Sequence, residues 1–280
     1  MTNELAGKTF IVTGANTGIG KVTAKELARQ GVTAGVETIA VFGGDGTTMQ
    51  AVAGMVGSDV VLGLIPGGTG NLLAGNLRIS RNPVRAARIL ISGRRRTIDL
   101  GRVSLPDGEH YFGVACGAGV DARVMGQTLT ADKRRWGIGA YMASTLRVLP
   151  TIRSTDCTVT VDGTSFDVKA ALILIMNCGE MIPPVVRVRP EINPEDGVLD
   201  LVTVAADTPW QGLRSLFKVI LEGRRPEIRA SPFIRYARGT RFTLTSAEVL
   251  PVQFDGDPVG TTPFSVEVVP QALSVMVARN

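Results

Sequence analysis

The chain has 280 residues, 44% hydrophobic and 20% charged, which excludes a disordered or low-complexity polymer and allows one large domain or two modest ones. Its single histidine, His110, argues against a histidine-containing catalytic triad and against a metal held by several histidines. Cys116, Cys157 and Cys178 are odd in number and form no CxxC, which reads as a reducing compartment without structural zinc. The net charge of +5 comes mostly from arginine, in the clusters Arg94-Arg95-Arg96, Lys133-Arg134-Arg135 and Arg224-Arg225. Such clusters suit phosphates or an anionic membrane surface, and equally suit solvated helix ends. Aromatic residues make up only 5% and are not interleaved with the basic clusters, so no nucleic-acid partner is expected. The longest apolar run, Ala170 to Met176, has the length of a buried strand and not of a membrane span. The opening MTNELAGKTF lacks the apolar core of a secretory signal. A cytoplasmic protein with at most peripheral membrane contact is therefore expected, and the sequence leaves a homodimer open.

In chain order, Thr9 to Thr13 reads as a short strand running into the glycine turn Gly14 to Gly20. A helix follows from Lys21 to Gln30, with Gly31 placed to stop it. Ile39 to Phe42 is a second buried strand leading into Gly43-Gly44-Asp45-Gly46-Thr47, after which Met49, Val52, Ala53 and Val56 recur at helical spacing. Val60 to Ile65 is a third strand, closed by Pro66-Gly67-Gly68-Thr69-Gly70-Asn71 and a helix over Leu72 to Leu77. Pro83 to Ser92 is a further helix, with Val84, Ala87 and Ile91 as its apolar face. Strands alternating with helices argue for an α/β domain with a parallel sheet. Beyond Arg96 the pattern changes to short alternating runs, such as Thr158 to Val161, Arg241 to Leu244 and Phe264 to Val268, punctuated by DG-containing turns. That is the grammar of an antiparallel β-sandwich, with helices expected at Gly139 to Leu149 and Pro209 to Leu221. The expected division is 1–95 for the α/β domain and 96–280 for the β-rich domain.

A glycine-rich turn between a buried strand and a helix lets backbone N–H groups approach phosphate oxygens at the positive end of the helix. One such turn is an ordinary βα connection; three, at 14–20, 43–47 and 66–71, stacked at one end of a parallel sheet, would line a single crevice.

GGDGT at 43–47 followed by Pro66 and Gly68-Thr69-Gly70-Asn71 resembles the diacylglycerol/sphingosine kinase catalytic family, in its bacterial lipid-kinase branch. The resemblance extends through Ile98-Asp99-Leu100-Gly101, Cys116 to Asp121, Arg135 to Tyr141 and Pro183 to Leu201. It ends in Gln253-Phe254-Asp255-Gly256-Asp257 with Gly260 and Pro263, covering roughly residues 36–280. It implies an ATP-dependent lipid kinase that phosphorylates a hydroxyl of diacylglycerol or a related lipid, with ATP and Mg2+ as cofactors. Carried over residue by residue, the nucleotide set is Gly43, Gly44, Asp45, Gly46, Thr47, Thr48, Gly68, Thr69 and Asn71. Gly43, Gly44 and Gly46 would allow close backbone approach, Asp45 would hold the loop or engage magnesium, and Thr47 would donate to phosphate. Asp45 itself is expected to have no packing role. Thr69 and Asn71 would approach from the neighbouring loop. The catalytic pair is Asp255 and Asp257, with Asp257 as the proton acceptor where the family usually has glutamate. The metal set is Asn193, Asp196 and Val198, oxygen donors suited to a hard cation. Both the DGD and NPEDG stretches are also ordinary turn chemistry.

Residues 6–31, with TGxxxGIG at 13–20, resemble the opening of a short-chain dehydrogenase, and the family's N-terminal strand–loop is absent, so the chain reads as a chimera. The dehydrogenase catalytic residues are missing: Tyr111, Tyr141 and Tyr236 are followed at the Tyr-x-x-x-Lys spacing by Ala115, Thr145 and Thr240. The alternatives to an active kinase are a kinase-like scaffold impaired at its N-terminus and at Asp257, and, last, an NAD(P)-dependent dehydrogenase.

Overall fold

The computed structural model describes residues 10–13, 19–105, 108–119, 152–184, 186–222 and 233–279. The chain divides into two compact units, Met1–Leu100 with Val269–Asn280, and Gly101–Val268. The sequence division at residue 95 lies a few positions before this one. The return of Val269–Asn280 to the first unit corrects the assignment of everything beyond residue 96 to the second.

In the first unit, β1 (Phe10–Thr13), β2 (Thr38–Gly43) and β3 (Val61–Pro66) run parallel. β3 is buried along nearly its whole length, as a parallel strand covered on both faces must be. Helix α1 (Ile19–Thr33) lies over one face, where a side chain on Gly31 would meet Ile39 at 3.1 Å. Gly31 is thus a close-packing position inside the helix, not its stop. The stop is Gly35, at φ +72, with Val36 N–H donating to Gly31 O and Gly35 N–H to Val32 O, the paired bonds of a left-handed helix end. Helix α2 (Asp45–Ala53) and the short α3 (Leu72–Asn76) follow β2 and β3, and α4 (Pro83–Ser92) packs on β3. Pro83 opens α4, and the Asn82 side chain caps it by accepting the Arg85 N–H.

The inward face of α4 is Ala86 with Leu90, which fills the space over Gly63 of β3. The face that carries Val84 and Ile91 is turned outward: Val84 is 60% and Ile91 90% exposed. Apolar residues occupy both faces of this helix, so periodicity alone could not choose between them. The long strand β4 (Arg94–Leu105) then carries the chain into the second unit.

The second unit holds β5 (Gly108–Phe112), β6 (Ala115–Gly119), β7 (Thr155–Val161), β8 (Thr164–Ala170), β9 (Leu172–Met176), the small pair β10 (Glu180–Ile182) and β11 (Val186–Arg187), and β12 (Leu199–Val204). After α5 (Pro209–Glu222) come β13 (Ile234–Gly239), β14 (Arg241–Ser246), β15 (Pro251–Phe254), β16 (Asp257–Thr261) and β17 (Phe264–Val277). One antiparallel sheet runs β13-β12-β9-β6-β15-β16. On the other side β17 pairs with β14, β14 with β7 and β7 with β8. Alternate residues of the two layers meet in one core that includes Phe112, Phe242, Ile173, Ile175, Leu199 and Leu201. The last part of β17 lies beside β3 in the first unit, parallel to it, with Ser274 opposite Val61.

The fold class therefore matches the sequence reading. The helix expected at Gly139 to Leu149, most of the 14–20 turn and the clusters at 133–135 and 224–225 lie outside the described residues.

Candidate active site

In the first unit the two glycine loops are held against each other by backbone. Gly67 N–H donates to Gly43 O at 2.8 Å, and a Cβ on Gly68 would stand 2.6 Å from the Gly44 Cα. No side chain larger than hydrogen fits between them. Helix α2 begins inside GGDGT, with Gly44 as its N-cap in extended conformation, so the first turn of the helix belongs to the motif itself. Gly43, Gly44, Asp45, Thr48, Pro66 and Asn71 line a shallow cleft here.

The side chains of these loops mostly hold the loops. Asp45 Oδ1 accepts the Leu72 N–H at 2.6 Å and thereby caps α3, so the expectation that this carboxylate has no packing role is corrected. Its other oxygen would meet a side chain on Gly70 at 2.8 Å. Asn71, left-handed at φ 50, folds back on Gly68, accepting from its N–H at 3.0 Å and donating to its carbonyl. Asn71 shapes its own loop and does not aim its amide at a ligand. Thr47 is buried, with its side chain against Gly43, so its hydroxyl does not face a phosphate from solvent. Buried Thr48 follows it on α2. The exposed members of the set are Gly68 and Thr69, in a loop that is exposed from Gly67 to Gly70.

In the second unit, Asp255 and Gly256 form the two-residue turn between β15 and β16, both at positive φ. Asp162-Gly163 makes the same turn between β7 and β8, but on the surface. Asp255 differs in being buried. It accepts the N–H of Gly113 at 2.7 Å and those of Val114 and Ala115 at 2.9 Å. Burial pushes its pKa up to about 6, against the three N–H donors that hold it down and with the nearby Asp257 charge adding to the rise. Asp255 therefore positions the 113–115 segment, while Asp257, partly buried at the start of β16, is the carboxylate that is left near the surface. The 113–115 partners were not legible in the sequence, because three backbone donors leave no residue-type signal.

The Asn193 to Val198 loop is closed on itself. Asp196 pairs with Arg238 at 2.5 Å, and its Oδ1 accepts the Val198 N–H at 3.3 Å. Arg238 also reaches Asp200 at 3.2 Å. Asp200 lies opposite Arg238 in the β12–β13 register and is buried, which raises its pKa while Arg238 opposes the rise. Among the described residues no group of three or more His, Cys, Asp or Glu is placed to hold a metal ion. With its only carboxylate committed to a guanidinium, the set Asn193, Asp196 and Val198 does not fit a magnesium ion in this arrangement.

Residues 3–103 match the diacylglycerol kinase catalytic domain, and residues 114–277 match the YegS C-terminal NAD kinase beta sandwich-like domain. A diacylglycerol kinase of Mycobacterium tuberculosis is 30% identical over 261 residues, covering 92% of this chain and 82% of that protein. The chain belongs to the diacylglycerol kinase catalytic family. A crystal structure of a diacylglycerol kinase from Bacillus anthracis shares the fold at a TM-score of 0.71 and 18% identity, covering 97% of both chains.

As a member of the lipid kinase family the chain is a phosphotransferase, and that membership implies the use of ATP. The family match begins at residue 3, so it includes the 6–31 segment that resembles a dehydrogenase. Nothing supports a separate origin for that segment. Its strand β1 pairs in parallel with β2 as the next strand of the same sheet.

Proposed function

We propose that the chain transfers the γ-phosphoryl group of ATP to a hydroxyl of diacylglycerol or a related lipid. The observation that supports this reading is the backbone contact of Gly44 with Gly68, which fixes an exposed glycine loop beside the N-terminus of α2, the positive end of that helix. Phosphoryl transfer asks the protein for positioning and charge stabilisation more than for covalent chemistry, and this is a positioning device. Asp257 is the proton acceptor. As the lipid oxygen bonds to the γ-phosphorus, its proton passes to the Asp257 carboxylate. The bond from that phosphorus to the bridging oxygen breaks, and ADP leaves with the electron pair. Asp255, tied to three N–H groups, holds the hairpin from which Asp257 projects.

Among the described residues no helix is long and apolar enough to cross a membrane. The second reading, an impaired scaffold, is favoured by one feature: the aspartate at 257 sets its carboxylate back by one methylene, about 1.5 Å, in a step that works near 3 Å.

Transfer of radiolabelled γ-phosphate to a lipid panel, with ADP release followed in parallel, tests the two readings. Labelled phosphatidic acid or a related product supports the kinase. ATP binding without any labelled lipid supports the scaffold, and binding of NAD(P) in place of ATP would overturn both.

A further inference from the structure

From Val60 to Ile98 the chain contains no aspartate or glutamate, yet it carries seven arginines, at 78, 81, 85, 88, 94, 95 and 96. Helix α4 runs through the middle of this stretch. Val84, Arg88 and Ile91 follow each other at i, i+4 and i+7, so they form one stripe along the outward face, with Arg85 beside it. Both apolar members of the stripe are strongly exposed, Ile91 almost completely. Three further features set the charge of its two ends. Arg81 just before the helix donates to the Gly70 carbonyl of the glycine loop, Arg279 donates to the Gly93 carbonyl beyond its last turn, and Arg94 is exposed at the start of β4. Among the described residues Arg85, Arg88 and Arg94 enter no ion pair.

Isolated exposed apolar residues need no explanation, but two on one helical stripe flanked by the exposed Arg85, Arg88 and Arg94 fit a particular partner. Water gains nothing from the pair, and a soluble acidic protein would meet the arginines but offer Ile91 no apolar depth. An anionic phospholipid surface supplies both, headgroup phosphates for the guanidinium groups and an acyl boundary for Val84 and Ile91. We propose that the outward face of α4 docks this protein on anionic phospholipid membranes. The contact of Arg81 with Gly70 then sets the glycine loop at the docked end of the helix. The inference deepens the kinase reading, because it gives the enzyme a route to a bilayer substrate, but its test does not require turnover.

Sedimentation with vesicles of phosphatidylcholine alone, and of phosphatidylcholine with phosphatidylglycerol, measures docking without ATP. The wild type is expected to bind the anionic vesicles and to lose binding as salt is raised. Combining Val84→Asn with Ile91→Asn should weaken binding about tenfold while leaving its salt dependence in place. Replacing Arg85, Arg88 and Arg94 by serine should weaken it by roughly fivefold per arginine and flatten the salt dependence. All five positions are exposed, and unchanged thermal melting confirms that the variants fold. Equal binding by wild type and both variants would overturn the proposal. So would a concentration-dependent dimer in light scattering that the Val84 and Ile91 changes abolish, since the face would then cover a second copy. Phosphate transfer to a short-chain diacylglycerol in neutral micelles separates the two readings. A protein that docks through α4 and transfers no phosphate leaves this inference standing and sinks the kinase; one that transfers phosphate and ignores the α4 changes does the reverse.

Discussion

Asp45 belongs to one glycine loop and completes the other: its Oδ1 accepts the Leu72 N–H at 2.6 Å and lies 3.4 Å from that of Leu73. A carboxylate at the start of α2 is favourable for that helix, and here it also occupies the free donors of α3. The first turn of α3 is thereby filled by a protein carboxylate that α2 itself carries.

Asp45→Ala should therefore act on stability as well as on activity. Loss of the cap is expected to cost about 1–2 kcal/mol and to loosen the 66–71 loop. Asp45→Asn keeps an acceptor oxygen toward Leu72 and removes the charge, so it should recover most of the stability. Chemical denaturation of the pair checks this: equal midpoints for the two variants would mean that the hydrogen bond to Leu72 contributes nothing.

Gly68→Ala places a methyl 2.6 Å from the Gly44 backbone, where no flexible side chain can yield. The two loops must separate by several tenths of an ångström. The expected outcome is a loss of ATP affinity of more than tenfold in calorimetric titration, with a modest change in melting temperature, because the strands beneath are untouched. Thr69→Ala, on the exposed crown of the same loop, should leave the melting temperature unchanged.

The parallel unit, the sandwich and the loops at 43–47 and 66–71 were all legible, because glycine turns and hydrophobic period report local backbone needs directly. Side-chain roles within the loops were not. Asn71 and Asp45 have the residue types of phosphate or metal ligands, and the same types make the best caps and turn closures. Which use applies depends on whether a backbone N–H lies in reach, and for Asp45 that partner is 27 positions away. Arg238 was missed for a similar reason. Its pairing with Asp200 follows from the β12–β13 register, which the hydrophobic pattern does not number. Which face of α4 turns outward was not legible, because the helix is apolar on two faces.

Asp255 makes folding pH-dependent. Its pKa in the folded protein is pushed up to about 6, whereas an unfolded chain titrates it near 3.8. The folded state thus keeps the proton to higher pH than the unfolded state. The stability that this group contributes is full below about 3.8, falls across the interval, and is lost once the pH has passed about 6. At ~1.4 kcal/mol per pH unit the change amounts to about 3 kcal/mol. Asp255→Asn, which cannot ionise, should flatten this part of the profile. It should also lower stability throughout, since its amide turns a donor toward the 113–115 N–H groups that now find only acceptors. A wild-type stability that is constant from pH 4 to 7 would remove Asp255 as the source.

Asp257 stands at the other end of the same turn, and the two carboxylates divide their work by environment. Asp255 is buried and fully engaged by backbone; Asp257 begins β16 only partly covered. If Asp257 takes the proton of the lipid hydroxyl, Asp257→Asn retains its shape and loses its basicity, and kcat should fall by ~10²–10⁴ with little change in the KM for ATP. Asp257→Glu adds the methylene that brings the carboxylate forward by about 1.5 Å and should raise kcat above the wild-type value. The split between kcat and KM is decisive. A defect confined to KM would mark a residue that binds ground state and transition state alike, not a base. Full turnover by Asp257→Asn in a preparation with measurable kinase activity would refute the assignment outright. A folded protein in which neither the wild type nor Asp257→Glu transfers phosphate to any lipid would establish the scaffold in its place, because the glutamate variant removes the one shortfall that the turn itself imposes.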